Sequence, residues 1–217
     1  MFLNQRCPVC DRTTPRPFCI DCQRQIASTC YPIQGWQLAA TDNINIGALG
    51  EYCGTLKQAI LALKYNNRPD VAYSLGAALA KRWLVQPQRP STNLYAVPIP
   101  LHPNRLAQRG YNQAELIAAT FCRVSGLPML SHGLVRAQDT LPQHQLGLQE
   151  RQENLQSAFS VGKSFKRLQQ EVKIRPQILL IDDIYTTGTT AQSAAKTMTA
   201  AGAQVIGMLS LAKAVND

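Results

Sequence analysis

The fold is decided by the stretch Ile178-Leu-Leu-Ile-Asp-Asp-Ile-Tyr-Thr-Thr-Gly-Thr-Thr190. Four aliphatic residues, the pattern of a buried strand, run into the acidic pair Asp182 and Asp183. A turn rich in hydroxyl groups follows and leads into an amphipathic helix. The N–H groups of such a turn, with the positive end of a helix behind them, can hold a phosphate group. The two carboxylates can accept hydrogen bonds from vicinal hydroxyls, so the stretch predicts a site for a phosphorylated sugar.

A purely structural interpretation of these residues also exists. Aspartates at strand ends and threonines before helices are common turn and N-cap residues. A generic strand–turn–helix, however, requires neither two adjacent acids after four aliphatic residues nor the run Thr186-Thr-Gly-Thr-Thr190. We therefore favour the interpretation as a binding site.

The rest of the chain alternates strands with helices. Strands are expected at 94–100, 177–182 and 203–211, with one or two more within 35–54, and helices at 55–63, 70–85, 113–125 and 189–201. Such alternation indicates a parallel sheet covered on both sides, in which ligands bind beyond the carboxyl ends of the strands, where Asp182 falls. Residues 132–160 are polar and turn-rich without a sustained period, which indicates either a functional lid or a missed element.

Composition narrows the class of protein. The chain has 217 residues, of which 45% are hydrophobic, enough for one α/β domain with a small appendage. No apolar run approaches the roughly 20 residues of a membrane helix, and residues 1–7 lack the apolar core of a signal peptide. We therefore expect a cytoplasmic protein without membrane insertion. The net charge of +9 favours a polyanionic partner, either a phosphorylated substrate or nucleic acid. Most basic residues are expected at the solvated surface, so the charge alone does not distinguish between these partners.

A cysteine cluster lies near the beginning of the chain. Four of the seven cysteines form two C-x-x-C pairs, Cys7-Pro-Val-Cys10 and Cys19-Ile-Asp-Cys22. This spacing gives four thiolates for one tetrahedral Zn²⁺, and four protein ligands leave no open position for catalysis, so we expect a structural site. Disulfides are disfavoured in a cytoplasmic chain, and nothing nearby suggests a thioredoxin-like redox unit.

A second candidate anion site follows the strand expected at 94–100. Arg105 and Arg109 lie in the predicted loop 101–112, and the planar guanidinium group matches phosphate oxygens bidentately. An alternative is a surface loop whose arginines cap the next helix or pair with Glu115.

These motifs resemble known proteins. The stretch from Ile178 to Thr190 resembles the ribose-phosphate motif of type I phosphoribosyltransferases. Further blocks resemble the ComF family of competence-associated proteins, which have a four-cysteine zinc knuckle before a phosphoribosyltransferase-like domain. These blocks are Leu63-Lys64-Tyr65, Pro98-Ile-Pro100, Arg109-Gly-Tyr-Asn-Gln113 and the series Arg136, Thr140, Gln143, Leu146, Arg151, Asn154 and Phe159. The resemblance runs from about Cys7 to Leu211.

The resemblance implies a Rossmann-like parallel sheet of the type I phosphoribosyltransferase fold. It also implies a zinc knuckle at 1–32, a phosphoribosyltransferase-like domain at 33–217 and a hood, the mobile cover of the site, at about 132–160. Asp182 and Asp183 would bind the ribose hydroxyls of phosphoribosyl pyrophosphate (PRPP) together with Mg²⁺. Its 5′-phosphate would lie on Tyr185, Thr186, Thr187, Gly188, Thr189 and Thr190, and its pyrophosphate on Arg105 and Arg109. Hood candidates are Thr140, Gln143 and Arg151, although Gln143 also suits a solvated loop.

Several functions fit these features. The resemblance implies a phosphoribosyltransferase that acts in the uptake or processing of transforming single-stranded DNA, with DNA-uptake proteins as partners. Alternatives are a non-catalytic PRPP sensor and a phosphoribosyltransferase of nucleotide metabolism with an unknown acceptor.

Overall fold

The computed structural model describes residues 5–32, 39–41, 44–85, 93–136 and 158–214. Its strands are β1 (Gln5–Arg6), β2 (Thr13–Thr14), β3 (Ala39–Thr41), β4 (Ile44–Glu51), β5 (Leu94–Pro98), β6 (Leu134–Arg136), β7 (Phe159–Val161), β8 (Gln177–Tyr185) and β9 (Gln204–Lys213). Its helices are α1 (Ile20–Thr29), α2 (Gly54–Tyr65), α3 (Asp70–Leu84), α4 (Pro103–Arg109), α5 (Gln113–Ser125), α6 (Lys163–Glu171) and α7 (Thr189–Ala200).

The main sheet has five strands in the order β3-β4-β9-β8-β5. Strand β3 is antiparallel to β4 at one edge, and the other four strands are parallel. Ile181 on β8 lies opposite Pro98 on β5 and Leu209 on β9, so the carboxyl ends of these strands meet at one edge of the sheet. Two antiparallel ribbons, β1–β2 and β6–β7, lie outside the main sheet.

Alternate residues of β8 serve two hydrophobic cores. Leu179 and Ile181 belong to the core that α2, α3 and α5 cover, whereas Ile178 and Leu180 belong to the core that contains Phe165 of α6 and residues of α7. A strand buried on both faces must be apolar along its length, which explains the uninterrupted run 178–181. The prediction of an α/β protein with a parallel sheet covered on both sides is confirmed.

The cysteine segment packs against the first of these cores. Cys19, Cys22 and Ile26 share that core with Leu49 and Leu75. Arg68, between α2 and α3, donates a hydrogen bond of 2.6 Å to the carbonyl of Arg6 and binds Asp70. The N-terminal segment is therefore attached to the helices that border the sheet.

Several elements differ from the sequence expectation. Helices α1 and α6 and the short strands β1, β2, β6 and β7 were not predicted, and the predicted loop 101–112 contains α4. Strand β8 continues to Tyr185, beyond the expected end at 182, so that the acids lie within its last residues. Within the described ranges, no helix combines the length and apolar character needed to cross a bilayer.

Candidate functional site

The acidic pair lies near the carboxyl end of β8. Asp182 pairs in register with Ser210 of β9, and Asp183 is 8% exposed. The N–H of Asp183 donates a hydrogen bond of 2.8 Å to Oδ1 of Asp182. Oδ1 of Asp183 in turn lies 3.0 Å from Nζ of Lys64, in the last turn of α2. The helix end and the strand end therefore meet through an ion pair.

The surroundings of Asp182 disfavour the charged form of its carboxyl group. Burial raises the pKa of Asp182 to about 8, and the charge of Asp183 acts in the same direction. The N–H of Asp183, Lys64 and Arg136 act against this rise. Burial, together with the charge of Arg105, lowers the pKa of Arg136, and Asp182 opposes that shift. Arg136 is thus close enough to interact with both Arg105 and the acidic pair.

The hydroxyl-rich turn joins β8 to α7. Thr186 and Thr187 are exposed, and Oγ1 of Thr187 lies 3.0 Å from Oγ1 of Thr189. Gly188 has φ +82°, and a Cβ there would lie 2.6 Å from Oη of Tyr185. Only glycine fits this position without strain. Because the first N–H groups of α7 have no partner within the helix, the turn presents donors suited to an anion.

Helix α4 begins close to the acids. The N–H of Ile99 donates to the carbonyl of Ile181 at 2.9 Å, which keeps the chain beside β8 after β5 ends. Nδ1 of His102 accepts a hydrogen bond from the N–H of Asn104, and Pro103 occupies the first turn. Gly110, with φ +80°, ends the helix. These signals give a defined helix of seven residues although none of its side chains is buried.

A cavity of about 750 Å³ lies between the end of α2 and helix α4. Its lining consists of Lys64, Tyr65, Asn67, Arg105, Ala107, Gln108, Arg109 and Gly110. Cζ of Arg109 lies 5.4 Å from the centre of the Tyr65 ring. The hydroxyl of Tyr111 donates a hydrogen bond of 2.6 Å to the carbonyl of Leu63, which fastens the two walls together.

The structure brings together part of the predicted site. Arg105 and Arg109 line one cavity with Lys64, and Lys64 contacts Asp183. The acids and the residues from Tyr185 to Thr190 are not among the lining residues of that cavity, although Lys64 contacts Asp183 on the strand that precedes the turn. No ion pair of the described residues joins Glu115 to either arginine. Thr140, Gln143 and Arg151 lie outside the described residues.

The four N-terminal cysteines form a compact cluster. The sulfur atoms of Cys7, Cys10, Cys19 and Cys22 lie within 4.8 Å of one another, and those of Cys10 and Cys19 are 3.5 Å apart. A tetrahedral zinc site with Zn–S bonds of about 2.3 Å separates its sulfurs by about 3.8 Å. The cluster therefore fits a single ion with four thiolate ligands. Arg6 and Arg12, which lie next to the cluster in the sequence, form ion pairs with Asp11 and Asp21, respectively.

The parallel sheet covered by helices and the compact cysteine cluster define an α/β protein with a small four-cysteine knuckle. Among curated proteins, "Competence protein F" of Haemophilus influenzae is 28% identical over 98% of this chain and 99% of its own. "DNA utilization protein YhgH" of Escherichia coli is 27% identical over 92% of this chain and 86% of its own. "Competence protein ComFC" of Streptococcus pneumoniae is 29% identical over 95% of this chain and 87% of its own. The resemblance to the ComF family is confirmed.

The chain was also compared with protein-family models and with solved structures. No protein-family model matches the chain. A solved adenine phosphoribosyltransferase of Leishmania tarentolae aligns with a TM-score of 0.43 at 15% identity, over 80% of this chain and 80% of that chain.

Proposed function

We propose that the chain binds PRPP together with Mg²⁺ and acts in the uptake or processing of transforming single-stranded DNA. One observation supports the binding site above all others. The acidic pair at the end of β8 is followed at once by a hydroxyl-rich turn at the N-terminus of α7, and Lys64 joins it to a cavity that Arg105 and Arg109 line. The acidic pair, which suits a diol, thus lies next to two candidate phosphate sites, the turn and the pair of arginines.

The division of labour follows from the chemistry of these groups. Asp182 and Asp183 would accept hydrogen bonds from the ribose hydroxyls, and the segment from Tyr185 to Thr190 would bind the 5′-phosphate through its N–H and hydroxyl groups. Arg105 and Arg109 would bind pyrophosphate and stabilise its charge as it leaves C1. Phosphoribosyl transfer depends on positioning and charge stabilisation, which these residues provide. The residues proposed to cover the site are Thr140, Gln143 and Arg151.

The acidic pair also fits a divalent cation. Mg²⁺ prefers one or two carboxylates together with phosphate oxygens of the substrate. The raised pKa of Asp182, about 8, reflects a carboxyl group that burial and Asp183 disfavour in its charged form. A cation between the acids and pyrophosphate would relieve this repulsion, and Asp182 and Asp183 would hold it. When bound, Mg²⁺ supplies charge neutralisation at the phosphates.

The knuckle at 1–32 is proposed to hold a structural Zn²⁺. The spacing of the sulfurs and the burial of three of the four cysteines support this assignment. A segment with so small a core of its own is expected to fold together with its metal.

Two observations support the role in DNA handling. The relatives carry names that refer to competence and to DNA utilisation. The net charge of +9 favours a polyanionic partner, although it does not distinguish nucleic acid from PRPP.

The decisive experiment measures PRPP binding by calorimetry in the presence of Mg²⁺. The double variant Asp182→Asn with Asp183→Asn should lose binding and keep its circular dichroism spectrum, whereas Glu171→Gln, which removes an exposed carboxylate on α6, should bind like the wild type. Unchanged affinity in the double variant would remove the site assignment. A pyrophosphate-release screen over bases, amines and DNA ends then separates an enzyme from a sensor.

A further inference from the structure

Tyr65 is an exposed aromatic residue at the end of α2. The residue is 71% exposed, although it lines the large cavity and lies against the guanidinium group of Arg109. Arginine over one face of a ring fixes the ring and leaves the other face open. An exposed, fixed ring inside a cavity is suited to stacking on a planar ligand.

The cavity is lined by two kinds of polar side chain, cationic groups and carboxamides. Lys64, Arg105 and Arg109 offer positive charge, which suits phosphate. Asn67 and Gln108 offer carboxamides, which present a donor beside an acceptor. Phosphate oxygens need donors only, whereas the edge of a nucleobase needs both donors and acceptors. Pyrophosphate alone therefore does not account for the amides or for the tyrosine.

We infer that Tyr65, Asn67 and Gln108 form a stacking subsite for a nucleobase, with the phosphate of the same nucleotide toward Arg105 and Arg109. The inference rests on the proposed handling of single-stranded DNA and gives that function a location beside the acidic pair. The volume of about 750 Å³ lies within the range of small-molecule sites and accommodates one nucleotide. The nucleotide can belong to a DNA strand or be free in solution, and the experiment below distinguishes these two ligands.

The chain offers a matched control for Tyr65. Tyr73 on α3 is 48% exposed and has Cζ of Arg123 at 6.0 Å from its ring centre. A second cavity, of about 380 Å³, lies between α1 and α3 around Phe18 and Leu75. Within the described part of the chain, Tyr73 is not among the lining residues of either cavity. Both tyrosines are therefore exposed and have an arginine neighbour, but only Tyr65 lines the cavity of about 750 Å³.

The test uses fluorescence anisotropy on the full, metal-loaded chain. The probes are labelled decathymidylate and an abasic strand of the same length and charge, with dTMP as competitor. The wild type should prefer the strand that has bases by about 5- to 150-fold, the effect of stacking one base. Tyr65→Ala should lose this preference and keep its affinity for the abasic strand, whereas Tyr65→Phe and Tyr73→Ala should retain the preference. Displacement by dTMP as effective as by unlabelled decathymidylate identifies a free nucleotide as the ligand, and weaker displacement identifies the strand.

Failure of this inference is distinct from failure of the proposed function. If the wild type prefers decathymidylate and Tyr65→Ala keeps that preference, the subsite is wrong and the DNA function stands. If the wild type binds neither the strands nor dTMP, both the DNA function and the subsite are wrong.

Discussion

Nζ of Lys64 lies 3.0 Å from Oδ1 of Asp183, and their side chains are 18% and 12% exposed. The pair joins the last turn of α2 to the end of β8 and places one positive charge against two adjacent carboxylates. Because both groups are largely removed from solvent, water and salt screen their attraction less than at a surface. Lys64 therefore determines how much negative charge the acidic pair presents to a ligand.

Replacing Lys64 by methionine should destabilise the protein and alter the site. The change leaves Asp183 without its partner, which should lower the free energy of unfolding by about 1–3 kcal/mol. Urea denaturation measures this loss. Arg167→Met breaks an exposed ion pair with Glu171, whose side chains are 81% and 56% exposed, and should cost less than about 1 kcal/mol. Equal losses in the two variants would contradict a special role for Lys64.

Asp182 should make stability depend on pH in a direction opposite to that of ordinary carboxylates. Its pKa rises in the folded state from the ordinary 3.8 to about 8, so the folded state binds a proton that the unfolded state releases. The resulting stabilisation is complete below about pH 4 and is lost as the pH rises to about 8, by up to about 1.4 kcal/mol per pH unit.

Asp182→Asn removes this titration. The variant should gain stability relative to the wild type as the pH increases between about 4 and about 8. Urea midpoints measured across this range check the expectation. Parallel pH profiles for the two proteins would contradict the raised pKa.

Gly188→Ala should disturb the turn that opens α7. Alanine there must adopt φ +82° and place its Cβ 2.6 Å from Oη of Tyr185. Gly126→Ala is the matched control, since Gly126 has φ +79° with nothing within 4 Å of the added Cβ. Both changes should cost about 1–2 kcal/mol for the backbone, and Gly188→Ala a further ~1–3 kcal/mol for the clash. Only Gly188→Ala should weaken PRPP binding, and equal effects on affinity would argue against the turn as a phosphate site.

Loss of one cysteine ligand should release zinc. Cys19 and Cys53 are both N-cap residues, of α1 and α2, but only Cys19 belongs to the sulfur cluster. Serine can accept the hydrogen bond that the side chain of Cys19 accepts from the N–H of Cys22, so Cys19→Ser tests the metal alone, whereas the side chain of Cys53 makes no cap hydrogen bond. We expect one zinc ion per chain in the wild type and in Cys53→Ser, and little in Cys19→Ser. A loss of about 2 kcal/mol should lower the Tm of Cys19→Ser by about 4–8 °C. Full zinc content in Cys19→Ser would exclude the four-thiolate site.

The main elements of the sheet could be predicted because their periodicity is strong. The aliphatic run 178–181 and the stripes on α2, α3, α5 and α7 indicated strands and helices at nearly the observed positions. Helix α6 was missed although its two buried residues, Phe165 and Leu168, have the spacing of one helical face, because two apolar positions among nine residues are few. Helix α4 has no buried residue, so only its caps mark it.

The contacts of the site were less predictable than its motifs. The role of Lys64 depends on Asp183, which lies far away in the chain, and no local pattern reveals such a partner. The block from Arg109 to Gln113 was noticed as a resemblance, but its physical reason emerges only in three dimensions. Gly110 ends α4, the hydroxyl of Tyr111 binds the carbonyl of Leu63, and Asn112 caps α5 while donating to the carbonyl of Ile99.

The hydrogen bond from Tyr111 to Leu63 has a consequence for ligand binding. It ties the end of α2 to the residues that follow α4, so the two elements that border the cavity are held together before any ligand arrives. A ligand that fits between them binds without the entropic penalty of ordering the protein.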